Sequence, residues 1–176
     1  MITVARAARP RGAAVFAAGL IAGIIAAILV DAFLAIAGQN LIRGWQNVAA
    51  AIVGPVASTA TSYAVLGVFL HFVTNIVWAL IYAYLAMVMW PVLNRVWIIS
   101  GLVYGLIVMI GMQLVQVAHH MQMHHMHIVQ AIHHVLPPGS ANAKFIGLEL
   151  ITRLVFFGLP VSWYVSLAAK RAQQAR

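Results

Sequence analysis

Seven of the eight histidines in the chain lie within residues 117–135, together with three methionines. If this segment is helical, His120, His124, His127 and His134 share a face, because they follow one another at steps of four, three and seven. Neutral imidazoles one turn apart suit Zn, Cu or Ni, and nearby thioethers favour Cu(I). The segment therefore predicts a Cu or Zn site, whose ligands would be His119, His120, Met123, His124, His125, Met126, His127, His133 and His134.

The same histidine-rich segment permits two other interpretations. Its apolar stripe consists of Val117, Met121, Ile128, Ile132 and Val135. A polar surface helix with no specific ligand would show the same stripe, and histidines that charge together below about pH 6.5 would make it a pH sensor. All three interpretations require an amphipathic helix over 119–136 that ends at Pro137-Pro138-Gly139.

A second set of polar residues interrupts the apolar stretches of the chain. Its members are Asp31, His71, Asn75, Gln113, Gln116, Glu149 and Arg153. An unpaired ion inside a bilayer costs at least about 2.5–3.5 kcal/mol, so both carboxylates need partners. We expect Glu149 to pair with Arg153, four residues later on the same helix face, and Asp31 to pair with His71.

This set has a structural and a functional interpretation. If successive helices alternate in direction, all of its members converge on the outer half of a helix bundle. There they would form either a clamp that holds the helices in register, or a water-accessible site that passes ions or protons to or from the histidine segment.

The composition requires a membrane to surround these residues. Hydrophobic residues make up 64% of the 176-residue chain and charged residues 7%, whereas soluble domains are about 45–50% apolar and about 25% charged. The formal charge is +8, but the basic residues lie mainly at helix ends rather than in a stripe with aromatics. We therefore expect lipid and no nucleic acid as a partner. Cysteine is absent, which excludes thiolate chemistry.

Four apolar stretches are long enough to cross a bilayer, which needs about 20 residues as a helix. They predict an all-α integral membrane bundle, a single domain over 1–176, with spans over about 12–37, 62–90, 96–118 and 144–168. The outer segment 38–61 carries Trp45, Val48, Ala49, Ile52 and Val53 at helical spacing before Gly54-Pro55, typical of a short interfacial or re-entrant helix.

The positions of lysine and arginine predict the orientation of the bundle. Seven lie on one side: Arg6, Arg9, Arg11, Arg95, Lys170, Arg171 and Arg176. Arg43 and Lys144 lie on the other side, and Arg153 lies within the fourth span. Because basic residues stay in the cytoplasm, both termini are predicted there, with the histidine-rich segment on the outer side of the membrane.

Small residues predict close helix contacts. Gly19 with Gly23, and Gly101 with Gly105, form GxxxG faces, for which packing inside the bundle is favoured over a dimer seam. Gly158-Leu159-Pro160 predicts a kink in the fourth span.

The order of motifs is similar to that of a known group of proteins. The runs WQNVAAAIVGPVAS, VLGVFLHFVTNIVWALIYAYLA, SGLVYGLIVMIGMQLV and FFGLPVSW cover about three quarters of the chain. They resemble small four-helix bacterial inner-membrane proteins without an established activity, and more distantly the YagU-type proteins. The resemblance implies the topology but no activity. The histidine-rich segment departs from it, since such proteins have an apolar, proline-containing stretch there.

Several function classes follow from these patterns. The first is a non-enzymatic accessory or scaffold protein with a Cu- or Zn-binding outer face, as a homo-oligomer or a small subunit of a larger membrane complex. The second is a small transporter or channel that uses the intramembrane polar set, and the third is a haem-binding electron carrier with His71 as one ligand. An enzyme is not favoured, because the chain has no HExxH or GxSxG motif.

Overall fold

The protein is all-helical in a computed structural model that describes residues 12–124, 127–128 and 140–174. The α-helices of this part of the chain are α1 (Gly12–Ile36), α2 (Leu41–Val53), α3 (Tyr63–Tyr84), α4 (Trp97–His124), α5 (Ser140–Ile151) and α6 (Leu159–Gln174). A π-helical segment continues α3 over Leu85–Met89, and another joins α5 to α6 over Thr152–Gly158. Short 3₁₀ turns cover Pro55–Ser58 and Pro91–Asn94.

Four stretches are long and apolar enough to cross a membrane, which confirms the predicted four-span, all-α bundle. They are Gly12–Ile36, Tyr63–Met89, Trp97–Ala118 and Ile146–Gln174. The predicted bounds of the spans within the membrane stay predictions. Helix α6 continues past residue 168, the predicted end of the fourth span, and includes Lys170 and Arg171.

Two glycines bring the first and second spans into backbone contact. A Cβ on Gly23 would lie 2.5 Å from the Cα of Ile76, and a Cβ on Gly19 would lie 2.7 Å from the Cα of Leu80. These distances leave no room for a side chain at position 19 or position 23 of α1. The predicted packing of this face inside the bundle is confirmed.

A matching seam joins the third span to the fourth. A Cβ on Gly101 would lie 2.8 Å from the carbonyl oxygen of Gly158, and a Cβ on Gly105 would meet the carbonyl of Arg153. The second GxxxG face therefore also packs inside the bundle, as predicted. Together the two seams divide the spans into two close pairs, the first with the second and the third with the fourth.

The second and third spans follow one another in the chain but are bridged mainly by side chains. Tyr104 on α4 donates a hydrogen bond of 2.6 Å to the carbonyl of Trp78 on α3. The hydroxyls of Tyr82 and Ser100 lie 2.7 Å apart. The main backbone packing of α4 is against the fourth span instead.

The irregularity predicted at Gly158-Leu159-Pro160 takes the form of the π-helical segment Thr152–Gly158. Pro160 has no backbone N–H to donate to an α-helical turn, and its ring crowds the turn before it. The helix therefore departs from α-helical spacing on the N-terminal side of the proline. Arg153 lies within the altered turn, so its direction depends on this segment.

The segment between the first two spans contains the predicted short helix, α2. The Asn40 side chain accepts a hydrogen bond of 3.1 Å from the Arg43 backbone N–H at its start, and Gly54 ends it with φ 79°. The backbone of Trp45 packs directly on Gly67 of α3. Ile52, a member of the predicted apolar stripe, stays exposed. The interfacial or re-entrant placement of α2 stays a prediction.

Replacing Gly23 with alanine tests the seam between the first two spans. We expect Gly23→Ala to lower the free energy of unfolding by about 1–3 kcal/mol, because the added methyl overlaps the α3 backbone. Gly44→Ala is the matched control, since nothing lies within 4 Å of a Cβ at that position of α2. Unfolding in mixed detergent and SDS measures both changes, and equal stability of the two variants would contradict the close approach.

Candidate functional site

Asp31 and His71 form an ion-pair contact between the first and second spans. Nε2 of His71 lies 3.3 Å from Oδ1 of Asp31, and the two side chains keep 11% and 17% of their surface exposed. The glycine seam at Gly23 holds α1 against α3 and so sets this distance. The pairing predicted from the cost of a lone carboxylate in lipid is present in the structure.

Asn75 completes this contact from one turn further along α3. Its side-chain N–H donates to the carbonyl of His71 at 2.7 Å, and the same nitrogen lies 3.3 Å and 3.5 Å from the two ring nitrogens. Asn75 therefore presents a donor to the imidazole. Its Oδ1 is buried and has no hydrogen-bond partner among the described residues.

Glu149 and Arg153 form the second predicted pair. Nε of Arg153 donates to Oε2 of Glu149 at 3.3 Å, and both side chains are partly buried. Arg153 also lies within electrostatic range of His71, so the two pairs belong to one group. The rings of Phe33 and Phe156 stack at 4.3 Å beside this group and join the first span to the fourth.

We refer to Asp31, His71, Asn75, Glu149 and Arg153 as the polar layer. Its residues come from three spans that are distant in the sequence. The layer contains two carboxylates and one guanidinium. Its formal charge is therefore −2 + 1 = −1 when His71 is neutral. One further positive charge would neutralise the layer.

The two glutamines predicted for this set lie on α4. Gln113 is partly buried, and its Oε1 has no hydrogen-bond partner among the described residues. Gln116 lies three residues further along and is exposed. Their membership of the polar layer stays a prediction.

A group of buried aromatic residues lies between the polar layer and the 91–95 end of the bundle. This aromatic plug consists of Tyr82, Tyr104 and Phe157, whose exposed fractions are 1%, 6% and 0%. The Tyr104 ring centroid lies 4.9 Å from that of Tyr82 and 6.4 Å from that of Phe157. The core is therefore closed on this side of the layer.

The sequence patterns do not predict the aromatic plug, because an aromatic residue within an apolar span gives no indication of which neighbouring helix it contacts. One signal could have identified part of it. His71, Asn75, Trp78 and Tyr82 follow at steps of four, three and four, so they share one face of α3. A polar face that continues to mid-span needs partners on a neighbouring helix.

The predicted metal ligands are only partly within the described residues. Helix α4 runs beyond the predicted third span to His124, and His127 is exposed. The side chains of His119, His120, Met123 and His124 lie outside what the structure describes, as do residues His125, Met126, His133 and His134. Among the described residues, no group of three or more metal-binding side chains is present. The metal site stays a prediction.

Comparison with known proteins adds no assignment for the polar layer. The resemblance to small four-helix inner-membrane proteins therefore stays a prediction. No protein-family model, curated protein or solved structure matches this chain.

Proposed function

We propose that the protein is a small, non-enzymatic transporter or channel of a bacterial inner membrane, and that its polar layer binds the transported cation. The observation that carries this proposal is the charge of the layer. Glu149 has Arg153 as its partner at 3.3 Å, whereas Asp31 has His71, which is positive only when protonated. A layer with one missing positive charge in an apolar core favours uptake of a cation.

The competing interpretation is a purely structural clamp. A clamp is most stable when its ions are fully matched, because every unmatched buried charge adds a desolvation cost. The layer instead pairs one carboxylate, Asp31, with a histidine that is positive only when protonated. It also contains a π-helical segment at Arg153, and such segments are frequent at functional sites. Both features favour a binding site over a clamp.

The proposed placement follows the basic residues. Both termini and the 91–95 turn would face the cytoplasm, and α2 would lie near the periplasmic surface. The polar layer would then lie in the outer half of the membrane, since Asp31 is five residues before the end of α1 at Ile36, about 7.5 Å. The aromatic plug would separate it from the cytoplasm.

A change in the charge of the polar layer should stop transport. We expect Asp31→Asn and Arg153→Gln each to lower the initial flux at least tenfold, because each changes the charge that holds the cation. Proteoliposomes with separate indicators for protons, sodium and potassium measure the flux. Lys144→Gln is the matched control for Arg153→Gln, because Lys144 is an exposed cation at the start of the fourth span.

These flux measurements are meaningful only for folded protein, so circular dichroism and gel filtration should accompany them. Unchanged flux in Asp31→Asn, with wild-type helicity, would show that the polar layer is not the transport site. Absence of flux for all three cations in the wild-type chain would contradict the proposal as a whole.

A second candidate function is the accessory protein with a Cu- or Zn-binding outer face, alone or within a larger membrane complex. Its supporting observation is that α4 continues as a helix to His124, past residue 118, where the third span is predicted to end. A helix in this stretch places His120 and His124 one turn apart, as a bidentate site requires.

Elemental analysis of tag-free protein tests the metal site. After mild exposure to Cu or Zn and washing, we expect about one metal ion per chain. The double variant His120→Ala with His124→Ala should lose at least tenfold in affinity, whereas Gln122→Ala should bind as the wild type does. Substoichiometric metal, or identical binding by the double variant, would contradict this function.

The haem-carrier alternative stays a prediction without added support. His71 is the one histidine within the four candidate spans, and its Nε2 already lies against Asp31. Haem held by two histidines would need the second from the histidine-rich segment.

The orientation can be tested directly because the chain has no cysteine. We expect a membrane-impermeant maleimide to label Gln39→Cys in intact spheroplasts, and to label Val92→Cys only after the membrane is disrupted. Both positions are exposed in the structure, so labelling reports sidedness rather than burial. The opposite pattern would place the 91–95 turn outside the cell and reverse the proposed orientation.

A further inference from the structure

We infer that the cation taken up by the polar layer is a single proton, shared between Asp31 and His71. This inference rests on the proposed function and names the substrate class of the same site. It depends on the charge of the layer, on the space between its atoms and on the closed core beneath it.

The missing charge lies at one place within the layer. The guanidinium of Arg153 is 3.3 Å from Glu149, on the same helical segment. Asp31 lies on the first span, 3.3 Å from His71 on the second. One proton bound to the Asp31–His71 pair changes the formal charge of the polar layer from −1 to 0, so a single positive charge neutralises the layer.

The distance between Asp31 and His71 suits a shared proton. At 3.3 Å, Nε2 and Oδ1 are at hydrogen-bond distance, so a proton can lie between them without movement of either side chain. A transition metal would need further ligands besides these two, and a sodium or calcium ion would need several oxygens around it. Asn75 instead presents its NH₂ group to the ring.

Proton uptake can be written without breaking any bond of the protein. In the neutral ring that carries its proton on Nε2, Nε2–H donates to the Asp31 carboxylate, and Nδ1 keeps a free lone pair. An incoming proton forms an N–H bond at Nδ1, the imidazolium stays paired with Asp31, and release is the reverse step.

The ionisable groups around His71 are few. Asp31 faces it from the first span, and Glu149 and Arg153 lie on the fourth. The third span contributes one further ionisable side chain, Tyr104 in the aromatic plug, and α2 contributes one, the exposed Arg43. Neither of them supplies a positive charge within the polar layer.

The closed core beneath the layer also favours a proton. Tyr82 and Phe157 are at most 1% exposed, so a hydrated metal ion has no space to pass them.

Magnetic resonance of two side chains tests the inference. Asp31 is the single aspartate of the chain, so ¹³C-aspartate reports it alone in the otherwise native protein. Replacing the seven histidines of 119–134 with glutamine makes ¹⁵N-histidine report His71 alone. We expect one proton to bind to this pair between pH 4 and 9 in lipid nanodiscs, with no change on adding sodium, potassium or zinc.

Asp31→Asn should reduce the doubly protonated form of His71 at least tenfold at a fixed pH, whereas Lys144→Gln should leave it unchanged. The inference is overturned if neither side chain takes up a proton between pH 4 and 9, or if a metal ion shifts their signals. If the seven-histidine variant does not fold, the Asp31 signal of the native chain still decides. Flux of sodium or potassium with no proton flux would overturn the inference and leave the proposed function standing, whereas absence of any flux would overturn both.

Discussion

A carboxylate inside an apolar bundle is stable only with a positive or donating group against it, and this constraint organises the structure around Asp31. Its partner among the described residues, His71, lies 3.3 Å away on another span. The contact requires α1 and α3 to approach within the reach of two short side chains. Glycine at position 23 makes that approach possible, because any larger residue would overlap the backbone of Ile76.

The same logic applies to the other helix pair. Gly105 lies against the backbone of Arg153, so the third span supports the part of the fourth that carries the guanidinium. The π-helical segment Thr152–Gly158 releases this part from α-helical spacing ahead of Pro160. Glu149, at the end of regular α5, then pairs with an arginine whose direction the irregular segment sets. Packing and charge placement are therefore coupled at one level of the bundle.

The aromatic plug and the polar layer have opposite physical characters. The plug is closed, with aromatic rings in contact and hydroxyl groups satisfied by backbone or side-chain partners. The layer keeps part of its surface exposed and holds Asn75 Oδ1 without a described partner. Unsatisfied polar atoms in a membrane core are costly, so they mark a place where water, a proton or a rearranged side chain completes the bonding.

The sequence by itself determined the number of spans, the helix after the first span and the pairing of Glu149 with Arg153. These features depend on local properties: the length of an apolar run, helical spacing and a four-residue step. It also narrowed the partner of Asp31 to His71, because few ionisable residues occur in the spans. The sequence also predicted an irregularity of the fourth span near Pro160, because a proline removes a backbone hydrogen bond and crowds the helical turn that precedes it.

Only the tertiary structure decided which helices share the glycine seams, and that Tyr82, Tyr104 and Phe157 close the core beneath the polar layer. Helix periodicity gives each residue a face but does not say which neighbour that face meets. In a membrane the apolar faces are nearly equivalent to one another and to lipid, so hydrophobicity does not choose among partners. The choice depends on close backbone approach and hydrogen bonding between spans, which exist only once the bundle is assembled.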